Sequence, residues 1–264
     1  MLLLSRRSRL AARSDVSALP GTTGRRRIYL MRHGHVDYMH RRVAETGNTN
    51  DVPLTALGRE QATASGKALA HVAFDVVMSS GYPRTRETME RVLAENENPV
   101  PAADTEPGLV EVHGGRITGV SSRREMAAAM AFQYDSAADP GARLFEGGEI
   151  FAEAIERAGA SILRLLARPD WHTALVVAHE GINRMVLGWM TGNGLAAVQT
   201  FEQDLACINV LDFDLVPAET GEGVQVARRI IKAVNLTPYN YVKHGMNLTS
   251  LEFIFERYEE RPDE

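Results

Sequence analysis

The sequence predicts an α/β fold: a mostly parallel β-sheet with helices over both faces. Two observations carry this. Short apolar runs of strand length (Ile28-Tyr29-Leu30-Met31, then Phe74-Asp75-Val76-Val77-Met78, then Thr173-Ala174-Leu175-Val176-Val177-Ala178) alternate with longer segments whose apolar residues recur at helical spacing. Each run is also followed at once by chemically capable residues: Arg32 and His33, then Ser79, Ser80 and Arg84, then His179. In such sheets ligands bind beyond the carboxyl ends of the strands, so these residues should converge on one crevice.

Taken in order, residues 1–26 form an arm rich in arginine, with Asp15 as its single acid. Its composition is that of a transit peptide, but a disordered extension or a misplaced start codon is the simpler reading. Residues 27–264 are read as one catalytic domain. After the first strand, residues 41–50 are polar and loop-like. Thr55 can cap a helix running to about residue 71, with Leu57, Ala64, Ala68 and Leu69 on its apolar side. Pro83 suits the first turn of a helix ending near residue 94. Residues 99–107 read as a loop, 125–134 as a helix, and 135–148 as a loop with four glycines and prolines. Ile150, Phe151, Ala154, Ile155, Ala158, Ile162 and Leu165 mark a strong helix over 149–167, which Pro169 ends. A further helix over 181–191 closes at Gly192-Asn193-Gly194. Segments 206–215 and 223–234 then read as a strand pair joined by a turn-rich link.

The bulk composition narrows the function. The chain has 264 residues, with 29 basic and 34 acidic side chains and a formal net charge of −5. That balance argues against nucleic-acid binding, which needs a basic face. No apolar run approaches the roughly 20 residues of a membrane span, so a cytoplasmic location is expected. The single cysteine, Cys207, cannot form an internal disulfide or a thiolate cluster and reads as a core thiol. His33 and His35 lack a third ligand at a convincing spacing, so no metal and no cofactor are expected.

The residues that converge suit phosphoryl transfer. A histidine with one unprotonated nitrogen can attack phosphorus, and His33 is the candidate nucleophile. The transferring group spreads negative charge over its oxygens, which guanidinium forks match. Arg32 and Arg84 would bind it, with His179 completing the cradle. Gly34 would allow backbone to approach the phosphate. The leaving oxygen needs a proton, and Glu111, in Leu109-Val110-Glu111-Val112-His113-Gly114-Gly115, is the candidate acid. Each feature alone has an ordinary structural explanation; together they point to one site.

As a set, in this order, the segments resemble the histidine phosphatase superfamily, the phosphoglycerate mutase-like family. Ile28-Tyr29-Leu30-Met31-Arg32-His33-Gly34 is similar to its first-strand motif, and Pro53-Leu54-Thr55 through Gln61-Ala62 to its first helix start. Ser79-Ser80 through Arg84-Thr85, Leu109-Val110-Glu111, Gly147-Gly148-Glu149 and Ala178-His179-Glu180-Gly181 match later ones. The resemblance implies a three-layer α/β/α sandwich, a phosphohistidine at His33, phosphate held by Arg32, Arg84 and His179, Glu111 as proton donor, and no metal. The sequence departs from phosphoglycerate mutases at His35-Val36-Asp37-Tyr38-Met39, where those enzymes carry Glu-(Ser/Thr)-x-Trp-Asn, and at Ile117-Thr118-Gly119. The expectation is therefore a phosphomonoester hydrolase for a small anionic phosphorylated metabolite. A mutase ranks second and a non-catalytic phospholigand-binding protein third. Asp37, Glu180 and His113 are substitutes for Glu111. The aromatic tail from Asn235 is open between covering the sheet, shaping the crevice mouth and mediating a homodimer.

Overall fold

The computed structural model describes residues 24–38, 49–116, 125, 132–219 and 223–244. The residues at 39–48, 117–124 and 126–131, nearly all of the arm and the tail beyond 244 lie outside the described residues. So do the readings placed on them: Met39, Ile117-Thr118-Gly119 and most of the helix over 125–134.

The sheet has six strands: β1 (Gly24–Arg32), β2 (Val76–Ser79), β3 (Ala103–Thr105), β4 (Thr173–Ala178), β5 (Ile208–Pro217) and β6 (Val224–Leu236). Their order is β3-β2-β4-β1-β5-β6. The first four run parallel, and β5 and β6 add antiparallel on the β1 side. The α/β reading holds, and the parallel half carries the functional edge.

Among the described residues four α-helices flank the sheet: α1 (Ala56–Leu69), α2 (Pro83–Ala94), α3 (Phe151–Ala167) and α4 (Glu180–Thr191). Alternation along each strand sorts the side chains between two cores. Ile28, Leu30, Ala174 and Val176 pack with Phe151 and Ile162 of α3 and Ile182 and Met185 of α4. Tyr29, Met31, Leu175 and Val177 pack with Leu69 of α1 and Met89 and Val92 of α2. The result is the three-layer sandwich expected. Local chemistry sets the helix ends. Thr55 accepts a hydrogen bond from the Gly58 amide at the start of α1, Pro83 opens α2, and Gly192 closes α4 at φ 79°.

Two elements differ from the sequence reading. β1 takes in Gly24–Arg26, which composition alone assigned to the arm. Arginines are tolerated there because Arg25 and Arg27 each place Nε 2.7 Å from a buried carboxylate of the neighbouring strand, Asp214 and Asp212 respectively. The Arg26 guanidinium lies 4.8 Å from the ring centre of Trp171. Those partners are some 145 to 189 residues away along the chain, so no local signal announces them. Residues 99–107, read as a loop, contain β3. Its three residues are all exposed and carry no apolar alternation; only pairing with the edge of β2 makes them a strand.

Candidate active site

Register brings four strand ends to one edge. Arg32 of β1 lies opposite Ala178 of β4, and Ser79 of β2 opposite Val177. The ladder continues past the strands: the amide of His33 donates to Ala178 O (3.1 Å), and that of Ser80 to Val177 O (3.2 Å). Beside Ser79, β3 ends at Thr105 and leads through a 3-10 turn, Pro107–Leu109, to Glu111.

The segment of the candidate nucleophile, residues 33–35, is fixed by hydrogen bonds on successive amides. Besides His33, Gly34 N–H donates to Thr88 Oγ1 (3.0 Å) and His35 N–H to Gln61 Oε1 (3.0 Å). Gly34 is glycine for a different reason than the sequence suggested. A Cβ there would lie 2.4 Å from the carbonyl oxygen of Gly58, and one at Gly58 would lie 2.2 Å from that of His35. The first turn of α1 sits against this segment, and both glycines are needed for that approach.

The His33 ring is buried. Its Nδ1 lies 2.8 Å from the Gly34 carbonyl, which can only accept, so Nδ1 carries the proton and Nε2 keeps its lone pair. Burial, with the Arg84 and Arg32 charges adding to it, holds the imidazole pKa well below its ordinary value. The lowered pKa favours the neutral ring, the form that attack on phosphorus would require.

His179 stands 5.3 Å from His33, ring centre to ring centre, at an interplanar angle of 69°. Arg84 Nε donates to its Nδ1 (3.3 Å), which places the ring proton on Nε2; that nitrogen donates to Ser80 Oγ (2.7 Å). The chain runs on from Ser80 Oγ to Thr85 Oγ1 (3.0 Å) and from there to the Tyr82 carbonyl (2.9 Å). Burial, then Arg84, pushes the His179 pKa well below its usual range. Arg84 is held by the carbonyls of Thr49 and Asn50, each 3.2 Å from Nη1, and lies over the Tyr82 ring at 4.9 Å. Arg32 donates through Nη1 to the Gln203 carbonyl and pairs through Nη2 with Glu180 (3.0 Å). Two imidazoles and two guanidiniums thus gather at one edge, with the Arg32 and Arg84 charges acting on both rings, an arrangement suited to an anion.

Glu111 lies at the start of α4. Its Oε1 accepts from the amides of Val112 (2.9 Å) and Ile182 (3.1 Å), and its Oε2 from that of Gly181 (3.3 Å). Burial raises its pKa; the Val112 amide opposes this and Glu180 adds to it. Of the substitutes, Glu180 is committed to Arg32 and to Arg184 (3.0 Å), and Asp37 and His113 are exposed.

The sequence reading missed Gln61, Thr88, Gln203 and Tyr82. Gln61, Tyr82 and Thr88 were visible only as parts of motifs, and Gln203 carried no signal of its own. Cys207 is buried and its thiol is pushed up to about 12 by burial, so it is inert as a nucleophile. Among the described residues no group of three or more His, Cys, Asp or Glu side chains could hold a metal ion, and no helix is long and apolar enough to cross a membrane.

Two imidazoles and two guanidiniums gather at the carboxyl edge of a parallel sheet, and the chain belongs to the histidine phosphatase superfamily (branch 1), whose model matches residues 28–217. Over 196 residues it is 28% identical to the adenosylcobalamin/alpha-ribazole phosphatase of Escherichia coli K12, covering 71% of this chain and 90% of that one. Among solved structures, the mycobacterial glucosyl-3-phosphoglycerate phosphatase aligns with a TM-score of 0.61 at 20% identity, over 80% of this chain and 99% of that one. The alpha-ribazole phosphatase of Shigella flexneri aligns at 0.55 and 22%, over 79% and 96%. These two likenesses establish the fold.

Proposed function

We propose that this chain is a phosphomonoester hydrolase that passes the phosphoryl group through His33. The supporting observation is the His33 ring itself: Nδ1 is tied to the Gly34 carbonyl, and the neutral Nε2 is left available 5.3 Å, ring to ring, from His179. Nε2 attacks phosphorus, the P–N bond forms and the ester P–O bond breaks. The leaving oxygen keeps the bonding electron pair and takes a proton from Glu111, whose pKa burial has raised. Arg32 and Arg84 hold the phosphoryl oxygens in place as charge redistributes. Water then attacks the phosphohistidine and gives its proton to the Glu111 carboxylate. The P–N electrons return to Nε2, and orthophosphate leaves.

The substrate is a small anionic phosphometabolite. Relatives on this fold carry names as different as alpha-ribazole and glucosyl-3-phosphoglycerate phosphatase, so substrate choice is made outside the shared cradle. Purified protein should release phosphate from p-nitrophenyl phosphate in EDTA, and His33→Ala should lose this while melting as wild type does. Strict dependence on an added metal, or conversion of a phosphoglycerate to its isomer without phosphate release, would refute the proposal.

A further inference from the structure

Gly181, two residues beyond His179, leaves a slot that two reactive groups share. A Cβ built there would sit 2.7 Å from the Tyr134 hydroxyl and 2.8 Å from Glu111 Oε1. Both side chains reach into the volume that any residue larger than glycine would fill. Tyr134 comes from the segment before α3, in a stretch that carries no motif. Its ring is 6% exposed and clamped: the Phe151 ring lies 5.5 Å away on one side, and the Arg184 guanidinium lies 4.9 Å from the ring centre. Arg184 is held by Glu180 (3.0 Å), and Glu180 by Arg32 (3.0 Å). The phenol is thus positioned by the same ion-pair chain that holds a phosphate-binding arginine.

We infer that Tyr134 is a positioning residue for Glu111, its hydroxyl donating a hydrogen bond to the Glu111 carboxylate when the acid has given up its proton. This rests on Glu111 as the proton donor. The three amides that already bind Glu111 fix where the carboxylate lies. The added donor would act at the oxygen facing the slot, stabilising the charge that appears as the leaving oxygen is protonated. Burial and the neighbouring Glu111 and Glu180 charges raise the phenol pKa well above its ordinary value, so the hydroxyl stays a donor throughout turnover. Gly181 is then required for catalytic geometry, because a Cβ there would occupy the slot beside the phenol and the carboxylate.

The test is leaving-group dependence. An aryl phosphate such as p-nitrophenyl phosphate departs without a proton, whereas a simple alkyl phosphate such as glycerol 3-phosphate needs one. In Tyr134→Phe, which keeps the ring contacts, the ratio of alkyl to aryl kcat/KM, which reports only the half-reaction that expels the leaving group, should fall about tenfold, the scale of one charge-assisted hydrogen bond. In Glu111→Gln it should fall further, by about 100-fold. The double variant should match Glu111→Gln alone, because the phenol acts only through the acid. An unchanged ratio in Tyr134→Phe beside a collapsed one in Glu111→Gln overturns the role of Tyr134 and leaves Glu111 intact. An additional fall in the double variant also overturns it, by showing independent action. An unchanged ratio in Glu111→Gln removes the proton-donor assignment, and this inference with it.

Discussion

Asn209→Ala should do more damage than any nearby apolar truncation of similar size. Asn209 is fully buried near the start of β5. Its Nδ2 donates to the Leu30 carbonyl (3.0 Å) and to Gln203 Oε1 (2.8 Å). Its Oδ1 accepts from Gln203 Nε2 (3.1 Å) and from the Asn235 amide (3.0 Å). Alanine takes this partner from the Leu30 carbonyl and the Asn235 N–H, and removes two of the four hydrogen bonds of the Gln203 amide, which keeps those to the Glu202 carbonyl and the Cys207 thiol. A buried polar group without a partner costs about 1–3 kcal/mol, and neighbouring losses share relaxation, so the sum should be roughly 4 kcal/mol. For a chain of this size that lowers Tm by on the order of 10 °C. The effect should reach the site too, because the Gln203 carbonyl that accepts from Arg32 sits on the turn this amide pair holds. Urea unfolding gives the stability change, provided the m-value is unaltered, and phosphate release gives the activity. Asn209→Asp should also destabilise, since it turns an oxygen toward the Leu30 carbonyl. If Asn209→Ala stays within about 1 kcal/mol of wild type, the hydrogen-bond reasoning is wrong.

Two further outcomes follow from the same packing and charges. Gly34→Ala places a methyl 2.4 Å from the Gly58 carbonyl, a backbone clash that no rotamer relieves. It should cost about 2–3 kcal/mol in thermal unfolding and displace His33, with phosphatase activity falling more than stability. Asp214 is held below the ordinary carboxylate range first by its hydrogen bond to Arg25, with Arg228 assisting. Its stabilisation is therefore fully present above that range and lost as pH falls through the lower folded value. Asp214→Asn should lower Tm at neutral pH, and the gap between the two melting curves should shrink steadily as pH falls below the ordinary aspartate range; a constant gap would contradict this.

The parts of the fold legible in the sequence are those whose signals are local. Thr55, Pro83 and Gly192 each cap or close a helix through their own backbone geometry, and the apolar runs of β1, β2 and β4 need no partner to be recognised. The four groups of the cradle were legible because each directly follows a strand or opens a helix at the shared edge. What was hidden depends on distant partners. The arginines of β1 become strand residues only beside Asp212 and Asp214, and β3 becomes a strand only beside β2. Gln203 and Asn209 look like ordinary polar residues until the fold joins them to Leu30 and Asn235. Gly34 was placed correctly but for another reason: the space it leaves is taken by α1.

Hydrolysis by the proposed route requires that phosphate rest covalently on Nε2 of His33 between the two half-reactions. Mixing the enzyme with substrate and quenching within the first turnover should trap a phosphoenzyme that is stable in alkali and labile in acid. Peptide mapping should put it on the segment containing His33, and the label should be absent from His33→Ala. Substrate turnover with no such adduct, or with the phosphoryl group on Ser80 or His179 instead, would contradict the account.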